Sequence, residues 1–384
     1  MSERQKVVQL KTRKAISIIG VDVGSCSLRA VQLRRTNSGW RFCHWVNLET
    51  EPTSPDPPHI LDNDQLRLVF GPGAFTGRTT AMVLSPPDVE YQIMDVPSAI
   101  LSQPASQLRT ALQIELDRQM EKPLAESEIA AWPVKPESTG IAPAMVVAAN
   151  RATLQQRLDL FSENRLQCVA ADVVGNAMIH LQQAGLGIAA SDASSPLWGV
   201  LDLGFHSSRL YLNYENRPVY ARVLRSGGCA MTTQLAEALH VDFAVAERYK
   251  RIYGIQPTSR GYRSKVGGLS RITKTELPGV LYSILRPMLD TLVHEIERSY
   301  RFAMGQFPGA GVGPLYLIGG GARLQGLSEV LESYLGVPIH LPAPATPDGE
   351  NTDAHSTHDS TAFKPSNFAL LAACAGAALR EESR

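Results

Sequence analysis

One pattern occurs twice in this chain, and it constrains the fold more than any other feature of the sequence. A run of apolar residues ends in the motif Asp-x-Gly, first at Asp22 and Gly24 and again at Asp202 and Gly204. In both places a turn, a second strand-like run, another turn and a third run follow. Runs of this length between turn residues are typical of β-strands. A repeat of this size predicts two lobes, each built around a similar sheet.

The composition is consistent with two such lobes. The chain has 384 residues, of which 44% are hydrophobic and 19% charged, and this is enough to form two cores. Lys plus Arg and Asp plus Glu both number 37, and this absence of a basic surplus argues against a nucleic-acid partner. The five cysteines form no CxxC pair, so no zinc or redox motif is indicated. The apolar run after the basic N-terminus is short and soon meets Asp22, which predicts a cytoplasmic protein without a signal peptide or membrane span.

The order of predicted helices and strands divides the chain into a few segments. A helix–strand–strand–helix pattern interrupts the first lobe, and a Gly/Ala/Ser-rich stretch separates the two lobes. The predicted boundaries are a flexible tail at 1–14, a first lobe at 15–96 and 168–190, an inserted block at 97–167, and a second lobe at 196–384 with a smaller part at about 236–278 and a flexible insert at 343–364.

The two Asp-x-Gly turns have the composition of phosphate-binding loops. Gly24 and Gly204 have no Cβ, so backbone N–H groups can approach phosphate oxygens there. The neighbouring hydroxyl groups that could donate further hydrogen bonds belong to Ser25, Ser27, Ser207 and Ser208. An aspartate beside a phosphate is favourable only with a divalent cation between them, and Mg²⁺ takes one or two carboxylates together with phosphate oxygens. A single Asp-x-Gly is common in ordinary turns, so the prediction depends on the pair.

Two further patterns follow in the second lobe. An apolar strand runs into Gly319, Gly320 and Gly321, and a flat nucleobase could lie on such bare backbone. The alternative is a tight strand-to-helix turn, which needs one or two glycines and seldom three. Earlier, Glu247 and Lys250 lie three residues apart on one helix face. The alternative for that pair is an ordinary surface ion pair, which is the more common meaning of an isolated example.

These four elements, in this order, resemble the actin-like ATPase superfamily, and within it the PilM family of type IV pilus assembly proteins, which is related to the cell-division protein FtsA. The resemblance covers about residues 15–380. The matching stretches are Gly20–Val31, Leu201–Gly204 with Arg225–Gly228, Ala246–Lys250 and Leu317–Arg323. The inserted block falls where FtsA and PilM carry their subdomain 1C, and its Glu115–Leu124 segment resembles the helix of that subdomain. The implied fold is α/β, with two lobes (1A and 2A, with 2B at about 236–278) on duplicated mixed sheets.

The resemblance also implies a site for ATP or ADP and Mg²⁺ between the lobes. The first phosphate loop would contain Asp22, Gly24, Ser25 and Ser27, and the second would contain Asp202, Gly204, Ser207, Gly227 and Gly228. The ribose would be contacted by Glu247 and Lys250. The adenine pocket would be lined by Gly319, Gly320, Gly321 and Arg323. Asp22 and Asp202 would reach the metal ion mainly through water.

The chain departs from the family pattern at three positions. Arg29 stands where many relatives have Lys, and His206 lies inside the second turn, where small residues are usual. FtsA- and MreB-type proteins carry an acid that orients the attacking water, and Asp172 is the only acid in the corresponding segment 172–176. The sequence therefore predicts nucleotide binding with at most weak ATPase activity, and it assigns no catalytic residue.

The function implied by the resemblance is that of an ATP-binding scaffold of a type IV pilus or related secretion assembly, at the inner face of the inner membrane. PilM relatives bind the short cytoplasmic tail of PilN in a groove involving subdomains 1A and 1C. Here the N-terminal tail of a similar single-span partner would dock between the inserted block and the first lobe. Self-association is the alternative use of that block. An FtsA-like membrane filament is a second interpretation, although the C-terminal residues lack a basic and aromatic amphipathic pattern. A small-molecule kinase is a third, but Phe205–Tyr214 contains no acid to act as base.

Overall fold

The structure is a computed structural model, and it describes most of both lobes and part of the inserted block. The described residues are 16–56, 62–101, 103, 107, 108, 110, 112, 126–135, 140–189, 196–257, 273–343, 355–356 and 367–380. The predicted tail at 1–14, the Glu115–Leu124 segment and nearly all of the predicted flexible insert at 343–364 lie outside them.

The first lobe is built on a six-stranded mixed sheet. In sheet order its strands are β14 (His355–Ser356), β3 (Gly39–Glu49), β2 (Ser27–Thr36), β1 (Ile19–Val23), β4 (Thr79–Leu84) and β8 (Gln167–Val173). β1, β4 and β8 run parallel to one another, while β2 is antiparallel to both β1 and β3. Parallel strands are usually covered on both faces, which explains why β1 and β4 have nearly continuous apolar sequences.

The second lobe repeats this arrangement with five strands. In sheet order they are β11 (Arg217–Leu224), β10 (Ser208–Tyr214), β9 (Leu197–Leu203), β12 (Val312–Ile318) and β13 (Ile339–His340). β9 pairs antiparallel with β10 and parallel with β12, just as β1 pairs with β2 and β4. The predicted duplication of a mixed sheet is therefore confirmed, with one Asp-x-Gly motif at the end of each corresponding strand.

Helices cover the faces of both sheets. They are α1 (Asn63–Val69), α2 (Ser98–Leu101), α3 (Arg151–Glu163), α4 (Val174–Gln183), α5 (Gly228–Leu239), α6 (Phe243–Tyr253), α7 (Leu277–Gln306), α8 (Leu327–Leu335) and α9 (Phe368–Ala378). Leucines at helical spacing form the buried stripe of α7, and Leu281, Leu285, Leu289 and Leu292 are all fully buried. At the N-terminus of α3 the Asn150 side chain accepts a hydrogen bond from the backbone N–H of Thr153 at 3.0 Å, an ordinary N-cap.

The helix α9 packs on the first lobe, which differs from the sequence-based division of the chain. That division assigned 196–384 to the second lobe, whereas α9 packs mainly on β1, β2 and β4 of the first sheet and on α4. All eleven of its residues are buried. Small residues allow this close approach: a Cβ added at Gly20 would lie 1.7 Å from the Cys374 carbonyl oxygen, and one added at Gly376 would lie 2.0 Å from that of Ala177.

We expect Gly376→Ala to destabilise the protein by about 1–3 kcal/mol, because the new methyl group has no room between α9 and α4. The matched control is Gly305→Ala in α7, where an added Cβ meets no atom within 4 Å. That control is expected to raise stability by about 0.5–1 kcal/mol, since alanine favours a helix over glycine. Urea unfolding of both variants measures the difference, and equal midpoints would contradict the close packing of α9.

The inserted block contains a third, antiparallel sheet whose order is β5 (Val89–Pro97), β7 (Ile141–Asn150) and β6 (Ser127–Pro133). The predicted block begins at 97, but β5 pairs with β7 along its whole length, so the sheet begins at 89. An apolar run predicts a strand without showing which sheet it joins, and this is why the sequence-based boundary differs. The chain enters and leaves this sheet at neighbouring points: the Asn150 N–H, at the end of β7, donates to the carbonyl oxygen of Asp88, just before β5, at 3.3 Å.

This third sheet also contacts the second lobe. The Trp132 indole Nε1 donates to the carbonyl oxygen of Pro218 at 2.7 Å, and the hydroxyl groups of Tyr91 and Tyr211 lie 3.2 Å apart. On the opposite face, the described residues Leu108 and Leu112 pack against the sheet. The inserted block is therefore held between a helical segment of its own and the strands β10 and β11.

Candidate functional site

A cavity of about 680 Å³ lies between the two lobes, where the ends of β1 and β9 face each other. Of the fifteen residues predicted to bind nucleotide, thirteen line this cavity. The two that do not are Ser207 and Gly227. Gly227 instead packs beneath the second turn, since a Cβ there would lie 2.4 Å from the Phe205 carbonyl oxygen. The fold thus brings together segments that are up to 300 residues apart along the chain.

Each Asp-x-Gly aspartate is held by an arginine seven residues further along the chain. Arg29 Nη1 donates to Asp22 Oδ2 at 3.0 Å, and Arg209 Nη1 donates to Asp202 Oδ2 at 2.8 Å. In both lobes the two residues are direct cross-strand partners, on β1 and β2 and on β9 and β10. Arg209 was not among the predicted site residues. The signal that could have identified it is the repeated spacing of seven residues between Asp and Arg.

The two aspartates influence each other across the cavity. Burial raises the pKa of the Asp22 carboxyl above its ordinary value, Arg29 opposes this shift, and the nearby Asp202 charge adds to it. The resemblance implies a metal ion beside these two aspartates. Within the described ranges, no group of three or more His, Cys, Asp or Glu side chains could hold a metal ion. Since one oxygen of each aspartate already accepts from an arginine, Mg²⁺ would depend mainly on phosphate oxygens and water.

The three consecutive glycines have different roles. Gly319 has φ +80°, and a Cβ there would lie 2.4 Å from Asp202 Oδ1. A Cβ at Gly321 would lie 2.7 Å from that of Leu203. At Gly320 an added Cβ would meet no atom within 4 Å, and this residue lines the cavity. Two of the glycines are therefore required by packing against β9, while Gly320 presents bare backbone to the open space.

Glu247 and Lys250 form a buried ion pair on α6. Their exposed fractions are 3% and 9%, so the alternative of a surface ion pair does not apply. Lys250 Nζ lies 2.6 Å from Glu247 Oε2 and also donates to the Gly228 carbonyl oxygen at 3.0 Å. Burial acts to raise the pKa of the Glu247 carboxyl, but Lys250, Thr232 and Arg251 together outweigh it and hold that pKa below its ordinary range. The pair thereby fixes the first turn of α5 beside the second Asp-x-Gly loop.

An ion pair also crosses the cleft at its rim. Arg323 Nη2 donates to both carboxylate oxygens of Glu49, at 2.8 and 2.9 Å, and Arg251 Nη1 lies 4.0 Å from Glu49 Oε2. Burial acts to raise the pKa of Glu49, but Arg323, Asn47 and Arg29 together outweigh it and lower that pKa. This contribution to stability is present above the ordinary pKa of 4.5 and is lost as the pH falls below it. Nothing in the local sequence marks Glu49, because its partner belongs to the other lobe.

No unpaired buried carboxylate lines the cavity within the part of the chain that the structure describes. Asp172, a residue of β8, does not line the cavity; it is only 4% exposed, and its Oδ2 lies 3.6 Å from His180 Nδ1 and 3.7 Å from Arg380 Nη1. Asp22, Asp202, Glu49 and Glu247 each contact a basic group, and Glu329 is exposed. His206 is exposed as well. Among the described residues that line the cavity, every buried carboxylate is therefore engaged by a basic group, and none is left unpaired to act as a base toward water.

The comparisons with known proteins agree with this architecture. A family model described as cell division protein FtsA matches residues 199–363. The chain is similar to a solved structure described as the PilM-PilN type IV pilus biogenesis complex, with 23% identity, a TM-score of 0.71 and coverage of 95% of this chain and 98% of that one. This match shows a shared fold over nearly the whole chain.

Two further solved structures are similar to a smaller degree. The ethanolamine utilization protein EutJ from Carboxydothermus hydrogenoformans has 13% identity and a TM-score of 0.46, covering 96% of this chain and 90% of that one. MreB5 of Spiroplasma citri bound to ADP has 12% identity and a TM-score of 0.45, covering 86% and 92%. Among the described helices, none combines the length and apolar character needed to cross a membrane. The duplicated sheets, the FtsA match over residues 199–363 and the likeness to the PilM-PilN structure together show that the chain has an actin-like ATPase fold of the FtsA type.

Proposed function

We propose that this chain binds ATP or ADP in the cleft between its lobes. The observation that carries the proposal is the meeting of both Asp-x-Gly turns and the bare backbone of Gly320 around one cavity. Its volume of about 680 Å³ lies within the usual range of small-molecule sites, roughly 300–1,000 Å³. Arg29 and Arg209 supply the positive charge that phosphate groups require. Calorimetry with ATP and ADP tests the proposal, and the absence of binding at about 1 mM nucleotide would contradict it.

The proposed cellular role is that of a scaffold in a type IV pilus or related secretion assembly, at the inner face of the inner membrane. Its support is the likeness to the PilM chain of the PilM-PilN complex over nearly the whole chain. In this role the inserted block docks the cytoplasmic tail of an inner-membrane protein. One edge of β6 pairs with β7, and no described strand pairs with its other edge. An extended peptide can add to such an edge through main-chain hydrogen bonds.

The docking prediction can be tested by removing the third sheet at its natural ends. Residues 89–149 are replaced by a short Gly/Ser linker, because Asp88 and Asn150 are already hydrogen-bonded neighbours. An ion pair between Asp88 and Arg157 of α3 anchors the junction. We expect the truncated protein to keep nucleotide binding and to lose the capture of its single-span partner from membrane extracts.

The measurement is a quantitative pull-down with nucleotide affinity as the control for folding. Undiminished recovery of the partner, from a truncated protein that still binds nucleotide, would contradict docking at the block. A change in self-association alone would support the alternative, in which the block contacts a second copy of the chain.

We expect the isolated protein to hydrolyse ATP slowly, below about one turnover per second, which is the lower end of the usual enzyme range. The reason is that the carboxylates around the cavity are engaged by basic groups, and Asp172 points elsewhere. A phosphate-release assay, with the Asp172→Asn variant as control, measures this. Turnover well above that rate, or its loss in the control variant alone, would contradict the interpretation.

The FtsA match over 199–363 favours a second candidate function, a membrane-associated filament protein. Filament formation would appear as ATP-dependent pelleting or light scattering at micromolar protein. We expect no such assembly, because the PilM likeness covers the chain more completely. Nucleotide-dependent filaments seen by negative-stain microscopy would reverse this preference.

A further inference from the structure

The charges around the cavity are balanced before any ligand binds. Five acidic and five basic side chains line it. At the phosphate turns, Asp22 and Asp202 are each paired with an arginine, at 3.0 and 2.8 Å. A divalent cation is held by carboxylate oxygens that carry uncompensated negative charge. A free cation therefore finds little net attraction at these two aspartates.

The two arginines keep hydrogen-bond donors that the protein does not use. A guanidinium group has five N–H donors in a fixed planar arrangement. Arg209 donates from Nη1 to Asp202 and from Nη2 to the Pro86 carbonyl oxygen at 3.3 Å. Its Nε is buried and has no hydrogen-bond partner among the described residues. That atom has almost no accessible surface, but Nη1 and Nη2 each carry a second N–H, and because Arg209 lines the cavity these N–H groups can donate to an acceptor that enters it.

Arg29 is placed in the same way on the first lobe. It donates from Nη1 to Asp22 and from Nε to Asn47 Oδ1 at 3.2 Å, and it lines the cavity. The duplication of the fold thus places one guanidinium at each of the two phosphate turns. Each is held in position by an aspartate on the neighbouring strand, so little side-chain freedom remains to be lost when a ligand binds.

We propose that Arg29 and Arg209 take over part of the role of the divalent cation, so that the chain binds nucleoside di- and triphosphates with only a weak dependence on metal. The inference rests on the proposed nucleotide binding. A guanidinium between a carboxylate and a phosphate satisfies both through charge-assisted hydrogen bonds, as a cation would. The metal-free nucleotide therefore meets two fixed cations instead of two bare carboxylates.

The test is a titration with a fluorescent ATP analogue, in excess MgCl₂ and in excess EDTA. The wild-type dissociation constants in the two conditions are expected to agree within about tenfold. For Arg209→Gln we expect binding in MgCl₂ to persist. In EDTA we expect its dissociation constant to exceed that of the wild type in EDTA by a hundredfold or more, about 2.7 kcal/mol. The matched control is Arg222→Gln, on the same sheet but ion-paired with Glu295 away from the cavity, and it should leave both constants unchanged.

A second variant protects the test against misfolding, because Arg209→Gln leaves Asp202 buried without its partner. The double variant Asp202→Asn with Arg209→Gln removes that unpaired charge, and it should show the same loss in EDTA. In a separate measurement without nucleotide, Mn²⁺ added to the wild-type protein should give an unchanged electron paramagnetic resonance signal of the free ion.

The possible results separate the inference from the function on which it rests. Binding in MgCl₂ that falls by more than about tenfold in EDTA would overturn the inference and leave the proposed function intact. Stoichiometric Mn²⁺ binding by the nucleotide-free protein would overturn it as well. No binding of the analogue in either condition would refute the proposed function, and the inference with it.

Discussion

Gly320→Val is expected to weaken ATP or ADP binding by about ten- to a hundredfold while the thermal midpoint stays close to that of the wild type. A side chain at this position meets no protein atom within 4 Å, so the fold can accept it. The same side chain projects into the cavity, where it occupies space that the ligand needs. Overfilling a packed contact costs about 1–3 kcal/mol, and each 1.4 kcal/mol is tenfold in affinity. Calorimetry and a thermal melt provide the two measurements.

The neighbouring glycine supplies the matched control. Gly319→Val places a β-branched residue at φ +80° and a Cβ 2.4 Å from Asp202 Oδ1, so it should destabilise the folded protein directly. The two variants thus separate loss of the site from loss of the fold. If Gly320→Val bound nucleotide as tightly as the wild type, the nucleotide would not lie against this turn.

Lys250→Met is expected to lower the free energy of unfolding by about 3–5 kcal/mol at neutral pH, because it leaves the buried Glu247 carboxylate without its closest cation. Methionine keeps most of the volume of the lysine side chain, so the loss reports on charge more than on packing. The matched control is Arg251→Met, whose partly exposed guanidinium also contacts Glu247, at 2.8 Å. It should cost no more than about 1 kcal/mol.

The pH dependence gives a second check on this ion pair. In the wild type the pKa of Glu247 is lowered, so its contribution to stability is present above the ordinary value of 4.5 and is lost as the pH falls below it. Without Lys250, burial loses the strongest charge that opposes it, so the pKa of Glu247 rises relative to the wild type and protonation relieves the buried charge. The difference in the free energy of unfolding between Lys250→Met and the wild type should therefore become smaller as the pH falls from 7 towards 4.5. A difference independent of pH would show that packing, rather than charge, causes the loss.

The sequence predicted those parts of the fold that depend on local patterns. The strand that carries Asp202 was predicted because an apolar run marks it directly in the sequence. The pairing of β5 with β7 was not predicted, because which strand pairs with β5 depends on tertiary packing and not on the local sequence. The packing of α9 on the first sheet was missed for the same reason.

The candidate site divides in a similar way. Asp22 and Asp202 could be predicted because each follows a strand and precedes a glycine, a pattern visible within three residues. Glu49 could not, because its contact with Arg323 joins residues from different lobes. The three glycines at 319–321 are equivalent in the sequence, and only the neighbouring atoms of β9 distinguish the open position from the two packed ones.

The position of α9 has a consequence for the order in which the protein matures. β1 ends at Val23, but α9, which covers it, begins only at Phe368. A ribosome therefore releases the strands of the first lobe long before the helix that completes their core. Throughout that interval the apolar face of β1, β2 and β4 stays uncovered, a state that favours aggregation and recruits chaperones. The first lobe to be synthesised is thus among the last parts of the molecule to finish folding.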